Sequence, residues 1–246
     1  MAAVWVLVER RVREPLVDMK MFVHRPVLFA NLAGLLVGFG SFALFIGVSY
    51  LVQMPSKIAG YGFDATVLRA SVEFLLPSTI VSLLAAPIGG KLVRHHGPRP
   101  VLLLASLIGT VGFVWIALDH EHAFSVIAAG MCVGAGISFG YAAMPAVIVA
   151  SVPPRQTGIA NGINSISRST GSAIGSAMIT TVLASRSIEH LPPGAPALPA
   201  ESQFTLTFVI AGTAFLLVSL VAWLGTARNA RPAPRCGGGL RPGVGR

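Results

Sequence analysis

The chain has 246 residues, 54% of them hydrophobic and 11% charged, with a mean hydropathy of +0.75, which is more apolar side chain than a soluble domain of this size can hide beneath a polar surface. Its net charge of +9 would suggest nucleic acid in a soluble protein, but here the basic residues are sorted by membrane side, which excludes that partner and leaves the lipid bilayer. Cys132, inside an apolar run, and Cys236 are the two cysteines, so a disulfide framework and a CxxC metal site are both excluded.

Residues 1–8 are apolar but too short to span, and Glu9-Arg10-Arg11 ends them as a membrane helix ends on reaching the cytoplasm. There is no basic region before the apolar stretch and no small-residue cleavage site after it, so a signal peptide is not indicated. The stretch reads as the back end of a helix whose front is missing, with a short interfacial anchor as the alternative. Residues 1–26 are thus expected to be the end of a linker helix plus a basic cytoplasmic linker.

Six apolar runs of roughly 18–26 residues follow, each long enough to cross about 30 Å of hydrocarbon as a helix. The first covers 27–52, and a loop over 53–69 with Pro55, Gly60 and Gly62 leads on, where Asp64 is a candidate cap for the next helix. The second, 70–92, contains Pro77 and Pro87, which neighbouring helices can tolerate in a membrane. A tight basic loop over 91–99 precedes the third span, 101–118, and the polar turn Asp119-His120-Glu121-His122 precedes the fourth, 124–149. His120-x-His122 has a spacing seen in metal sites, but the favoured reading is a solvated turn and no metal.

Pro153-Pro154 stops the fourth span, and the fifth, 159–183, is the least apolar. It carries Asn161, Asn164, Ser165, Ser167, Arg168, Ser169, Thr170 and Ser172, so it cannot face lipid all round. A Pro-rich loop over 190–199 leads to the sixth span, 204–224, and residues 226–246 read as a disordered basic cytoplasmic tail. Fourteen of the 18 Lys and Arg residues fall on one side, three (Lys57, Arg69, Arg186) on the other, and Arg168 lies within a span. The basic side is expected to be cytoplasmic, with both ends of the six-helix block on it.

Between the second and third spans the chain reads Gly90-Lys91-Leu92-Val93-Arg94-His95-His96-Gly97-Pro98-Arg99. This resembles the G-x-L-x-D-R-x-G-R-[KR] loop of the major facilitator superfamily, matching at Gly90, Leu92, Gly97 and Arg99; Arg94 stands where the family has Asp and His95 where it has Arg. The stretch over 152–162, continuing to Arg168 and Gly171, is similar to the junction of the fourth and fifth helices in the C-terminal half of the 14-helix drug:proton antiporters, and residues 13–22 resemble the linker before that half.

The resemblance implies an all-α integral membrane fold whose six transmembrane helices form one half of a major facilitator transporter, occupying 27–225. It implies alternating access around a midplane cavity, efflux of small amphipathic compounds exchanged for protons, no cofactor, and a partner that is a second six-helix half or another copy. The alternative is a truncated, non-transporting membrane fragment or scaffold. No nucleophile–base set and no phosphate loop is present, so an enzyme is not expected.

By the same resemblance the first, second, fourth and fifth helices line the cavity and the other two lie outside. Asn161, Asn164 and Arg168 fall at i, i+3 and i+7 on one helix face. Arg168 either binds an anionic group or holds the halves together, or it is a structural donor to neighbouring helices; both readings stand open. Asn31, Tyr50, Gln53, Tyr141 and Met144 are weaker cavity candidates. Glu73 is the one carboxylate near a span interior and a candidate for proton coupling, with headgroup-level pairing to Arg69 as the rival reading. The pairs Gly158/Gly162, Gly171/Gly175, Gly130/Gly134 and Gly136/Gly140 are expected to let helices approach closely.

Overall fold

The computed structural model describes residues 25–188 and 198–225. The N-terminal linker to residue 24, most of the Pro-rich loop (189–197) and the tail from 226 lie outside the described residues, and so do the expectations placed on them. Six long helices carry the chain: α1 (Arg25–Gln53), α2 (Val67–His96), α3 (Pro98–Leu118), α4 (Ala123–Val149), α5 (Thr157–Ser185) and α6 (Glu201–Gly225). Five of them, all except α5, are both long and apolar enough to cross a membrane. With 29 residues α5 has the length, but its Asn, Ser, Thr and Arg side chains lower its hydropathy. The sixth expected span is therefore a helix whose place in a bilayer depends on what shields its polar side.

Most helix ends run beyond the apolar runs, because backbone hydrogen bonding continues past the last apolar residue. This corrects the loop expected over 91–99: α2 persists to His96 and α3 starts at Pro98, so Gly97 alone separates them. Gly97 has φ +84°, a conformation open to glycine, and its N–H donates to Val93 O. Pro98 suits the first turn of a helix, where its missing N–H costs nothing. Gly90 lies within α2 with open space around it, and Leu92 packs against the core.

Asp64 is also corrected. It accepts from the N–H and hydroxyl of Ser56 at the short turn Ser56–Ala59, while Thr66 caps α2 by accepting from Arg69 N at 3.3 Å. Near its start α2 widens into a π segment over Ala70–Leu75, where Leu76 N bonds to Ser71 O. The segment sits just before Pro77, whose ring would crowd the carbonyl four residues back in a regular α-helix.

The helices run up and down. α1 packs along α5, α6 and α4, α4 along α3, α2 and α1, and α3 against α6. This places α1 and α4 at the centre, with α5 beside α1, α2 beside α4, and α3 and α6 behind. Phe113, Phe204, Phe208 and Phe215 fill the rear core, and a Cβ at Gly40 or Gly109 would come within 2.4 or 2.2 Å of the Phe215 ring. In lipid the hydrophobic effect does not drive helices together, so such close van der Waals fits hold the block. Coverage is uneven: 61% of the most apolar stretch of α1 and of α4 is buried, against 22% for α2.

Two polar contacts fasten α3 to α6 at opposite ends. Arg99 Nη2 donates to Trp223 O at 3.1 Å, and His120 reaches Glu201 Oε1 through Nε2 at 3.1 Å. The Nδ1 of His120 lies 3.2 Å from Ile116 O, a carbonyl in the last turn of α3. His120 is buried, which overturns the solvated reading for that residue; His122 is exposed and pairs with Asp119 at 3.0 Å.

Candidate functional site: a four-helix groove and its arginine

A cavity of about 510 Å³ opens between α1, α2, α4 and α5. Its wall is made by Ser41, Phe42, Leu44 and Phe45 of α1, Ser78, Thr79, Ser82 and Ala86 of α2, Gly134, Ile137, Ser138, Tyr141 and Ala142 of α4, and Ser172 of α5. Small residues bring these helices close. A Cβ at Gly134 would stand 2.6 Å from Ser78 O, and Ser138 Oγ donates across to Ser82 O at 2.7 Å. On the other side, a Cβ at Gly38 would stand 2.2 Å from Arg168 O and one at Gly171 1.9 Å from Leu35 O, so α1 and α5 touch backbone to backbone.

That contact positions a polar cluster beside the groove. Asn164 is fully buried; its Nδ2 donates to Ala30 O at 2.9 Å and lies 3.3 Å from Asn31 Oδ1. Its Oδ1 accepts from Arg168 Nη1 at 2.9 Å. The Arg168 guanidinium carbon then lies 5.0 Å from the centroid of the Tyr141 ring, a cation–π geometry, and the Tyr141 hydroxyl is 3.3 Å from Ser41 Oγ. Asn31, Asn164, Arg168 and Tyr141 are therefore brought together across α1, α5 and α4.

The other candidates lie apart from this cluster. Asn161 donates to Thr157 O on its own helix at 3.1 Å, and its buried Oδ1 has no hydrogen-bond partner among the described residues. Gln53 turns back to Ser49 O at 2.7 Å, Tyr50 is exposed, and Met144 is wholly buried in the core. Glu73 is held by Arg69, whose Nε donates to Glu73 Oε2 at 2.6 Å; the pair is partly exposed. Of the loop residues, Arg94 is exposed and Arg99 binds the end of α6. Among the described residues no group of His, Cys, Asp and Glu is arranged to hold a metal.

The glycine pairs divide. Gly171, Gly175, Gly134 and Gly136 meet neighbouring backbone, Gly130 and Gly140 make only ordinary side-chain contacts, and Gly158 and Gly162 face open space, so the packing role expected for that last pair is not met within the described residues. Gly34 and Gly38, an equally spaced pair on α1, do the packing against α5 and were not singled out by the sequence. Their signal was present as G-x-x-x-G in a run apolar on every side. Ser41, Ser78, Ser82 and Ser138 carry no sequence signal, because a serine in an apolar run has no period that assigns it a face, whereas Ser172 belongs to the polar set of the fifth span.

The block is all-α, and five of its helices are long and apolar enough to cross a membrane. Residues 74–241 match the family model of the Major Facilitator Superfamily, and the chain belongs to that family. Among curated proteins it is similar to the multidrug transporter protein MdtP of Bacillus subtilis (24% identical over 206 residues, covering 81% of this chain and 36% of the relative). It is also similar to the multidrug resistance protein Stp of Mycobacterium tuberculosis (26% identical, 74% of this chain, 33% of the relative) and to the puromycin resistance protein pur8 of Streptomyces alboniger (25%, 91% and 45%). The chain spans about a third of the length of the first two.

Proposed function

We propose that this chain is the C-terminal six-helix half of a proton-coupled efflux permease for small amphipathic compounds, and that the four-helix groove is its share of the transport path. The observation that carries the reading is the groove itself: it opens between α2 and α5, the helices that flank the central pair, and its wall is mostly apolar with scattered hydroxyls. Relatives whose names specify multidrug and puromycin resistance support the efflux direction. In this reading α5 is the sixth span, its polar side covered by a second six-helix unit, and the Gly97 end faces the cytoplasm.

Cluster residues Asn31, Tyr141, Asn164 and Arg168 border the substrate path, while Gln53 and Asn161 are assigned to helix structure. A carboxylate of the other half is the favoured coupling acid, since Glu73 is engaged by Arg69. The test is uncoupler-sensitive extrusion of a fluorescent substrate from a host lacking its main efflux pumps, with this chain expressed alone and together with an N-terminal half. Extrusion that appears only on co-expression and falls with Arg168→Ala at equal membrane level is expected. Insertion with no extrusion in either case would favour the non-transporting scaffold.

A further inference from the structure

The hydroxyls of the groove can be followed proton by proton. A serine, threonine or tyrosine hydroxyl has one proton to donate and lone pairs with which to accept. Ser78 and Thr79 both donate to Leu75 O, at 2.7 and 3.1 Å, and Ser82 donates to Ser78 O at 2.8 Å. Ser138 donates to Ser82 O at 2.7 Å and Ser172 to Gly38 O at 3.2 Å. Ser41 donates to Val37 O at 2.8 Å, so in its 3.3 Å contact with Tyr141 the phenol must be the donor. Every hydroxyl on the wall has therefore spent its proton on the protein, and what each offers a ligand is an acceptor oxygen.

An acceptor-only wall favours any ligand with N–H or O–H groups, ammonium ions included. Arg168 separates the two classes. Its guanidinium is permanently charged, its partners Asn164 and Ser165 are neutral, and it occupies one face of the Tyr141 ring that an organic cation would otherwise use. Among the described residues no carboxylate lines the groove to offset that charge. At the effective dielectric of a protein interior, a second positive charge some 8–10 Å away would lose about tenfold or more in affinity. An anion would be drawn to Arg168 but would meet lone pairs along the rest of the wall.

We infer that the groove selects uncharged amphiphiles bearing their own N–H or O–H groups, and that Arg168, poised on Tyr141, is the specificity-determining residue that turns lipophilic cations away. The inference rests on the reading of the groove as a transport path, and it names the substrate class for that path.

Three probes with one fluorophore test it: dansyl ethanolamide (neutral, hydroxyl-bearing), dansyl cadaverine (cationic) and dansyl glycine (anionic). Each is titrated onto the full chain in lipid nanodiscs, with empty nanodiscs subtracted for partitioning. Saturable binding of the neutral probe at least about tenfold tighter than the cation is expected. Arg168→Gln should strengthen cation binding by about that factor, and Arg168→Lys, which restores the charge, should keep the discrimination. Circular dichroism checks that both variants are folded; should Arg168→Gln unfold, the comparison of the three probes on the unaltered chain still decides. A cation that binds as tightly as the neutral probe, a ratio unmoved by Arg168→Gln, or no saturable binding of any probe would overturn the inference. The expected ranking without extrusion in cells would count against the transport reading alone, and extrusion in cells without that ranking on the chain would count against the inference alone.

Discussion

Asn164 is the residue through which α5 is registered on α1. Its amide is committed at both ends, to Ala30 O on one side and Arg168 on the other, with no exposed surface. Asn164→Leu fills similar volume but orphans the Arg168 donor at Nη1, so it should lower stability by about 1–3 kcal/mol, read from thermal unfolding in detergent. Glycines offer a sharper contrast. Gly38→Ala places a methyl 2.2 Å from Arg168 O and should cost about 1–3 kcal/mol by forcing the two helices apart. Gly162→Ala, with nothing within 4 Å, should instead stabilise α5 by roughly 0.5–1 kcal/mol through helix propensity. Equal losses in the two variants would show that the α1–α5 contact does not depend on close approach at Gly38. From sequence, the glycines of α5 stand out against polar neighbours, whereas the G-x-x-x-G of Gly34 and Gly38 lies in a helix apolar on all sides, where nothing says which neighbour it meets. Pairing two such helices needs coordinates, because either partner reads the same on every face.

At the scale of elements, the turns at the Asp119 end fix how the helices are strung. Ser125 Oγ donates to Asp119 Oδ2 at 2.6 Å and His122 Nδ1 to Asp119 Oδ1 at 3.0 Å, and these two bonds hold the Asp119 carboxyl below its usual range. The same carboxylate pushes the His122 imidazole above its ordinary value. The stabilisation from His122 is fully present below the ordinary imidazole value and is lost as pH rises through the raised one. That from Asp119 is present above the usual carboxylate range and is lost as pH falls through the lowered one. The turn is thus held best between those two limits. Nuclear magnetic resonance of histidine-labelled chain, with the resonance assigned through His122→Gln, should show a His122 midpoint above that of a free histidine, and Asp119→Asn should bring it back down. An unchanged midpoint in Asp119→Asn would remove the pair from the account. Nearby, burial first and Glu201 second raise the Tyr61 phenol to about 12, while its hydroxyl donates to Pro199 O. The positions of these turns were legible in the sequence, but their partners were not. His120 looked solvated because nothing local indicates that Glu201, far along the chain, closes over it.

For the whole molecule, apolar length reveals the order of the helices, and each expected span is a helix, displaced at its ends by a few residues. Charge adds a polarity that runs through the block. At the Gly97 end the described residues supply Arg25, Lys91, Arg94, Arg99 and Arg155 and no acid. At the Asp119 end Asp64, Glu73, Asp119, Glu121 and Glu201 outnumber Lys57, Arg69 and Arg186. An excess of Lys and Arg next to membrane spans marks the cytoplasmic side, and acids contribute little to that rule, so the Gly97 end is the one expected in the cytoplasm. Both ends offer exposed reporters, Arg94 and Glu121. In a background with Cys132 and Cys236 changed to Ala, Glu121→Cys should react with a membrane-impermeant maleimide on intact cells. Arg94→Cys should react only once the membrane is opened. The reverse pattern would invert the block in the bilayer; labelling of both on intact cells would mean that the six helices do not insert as one unit.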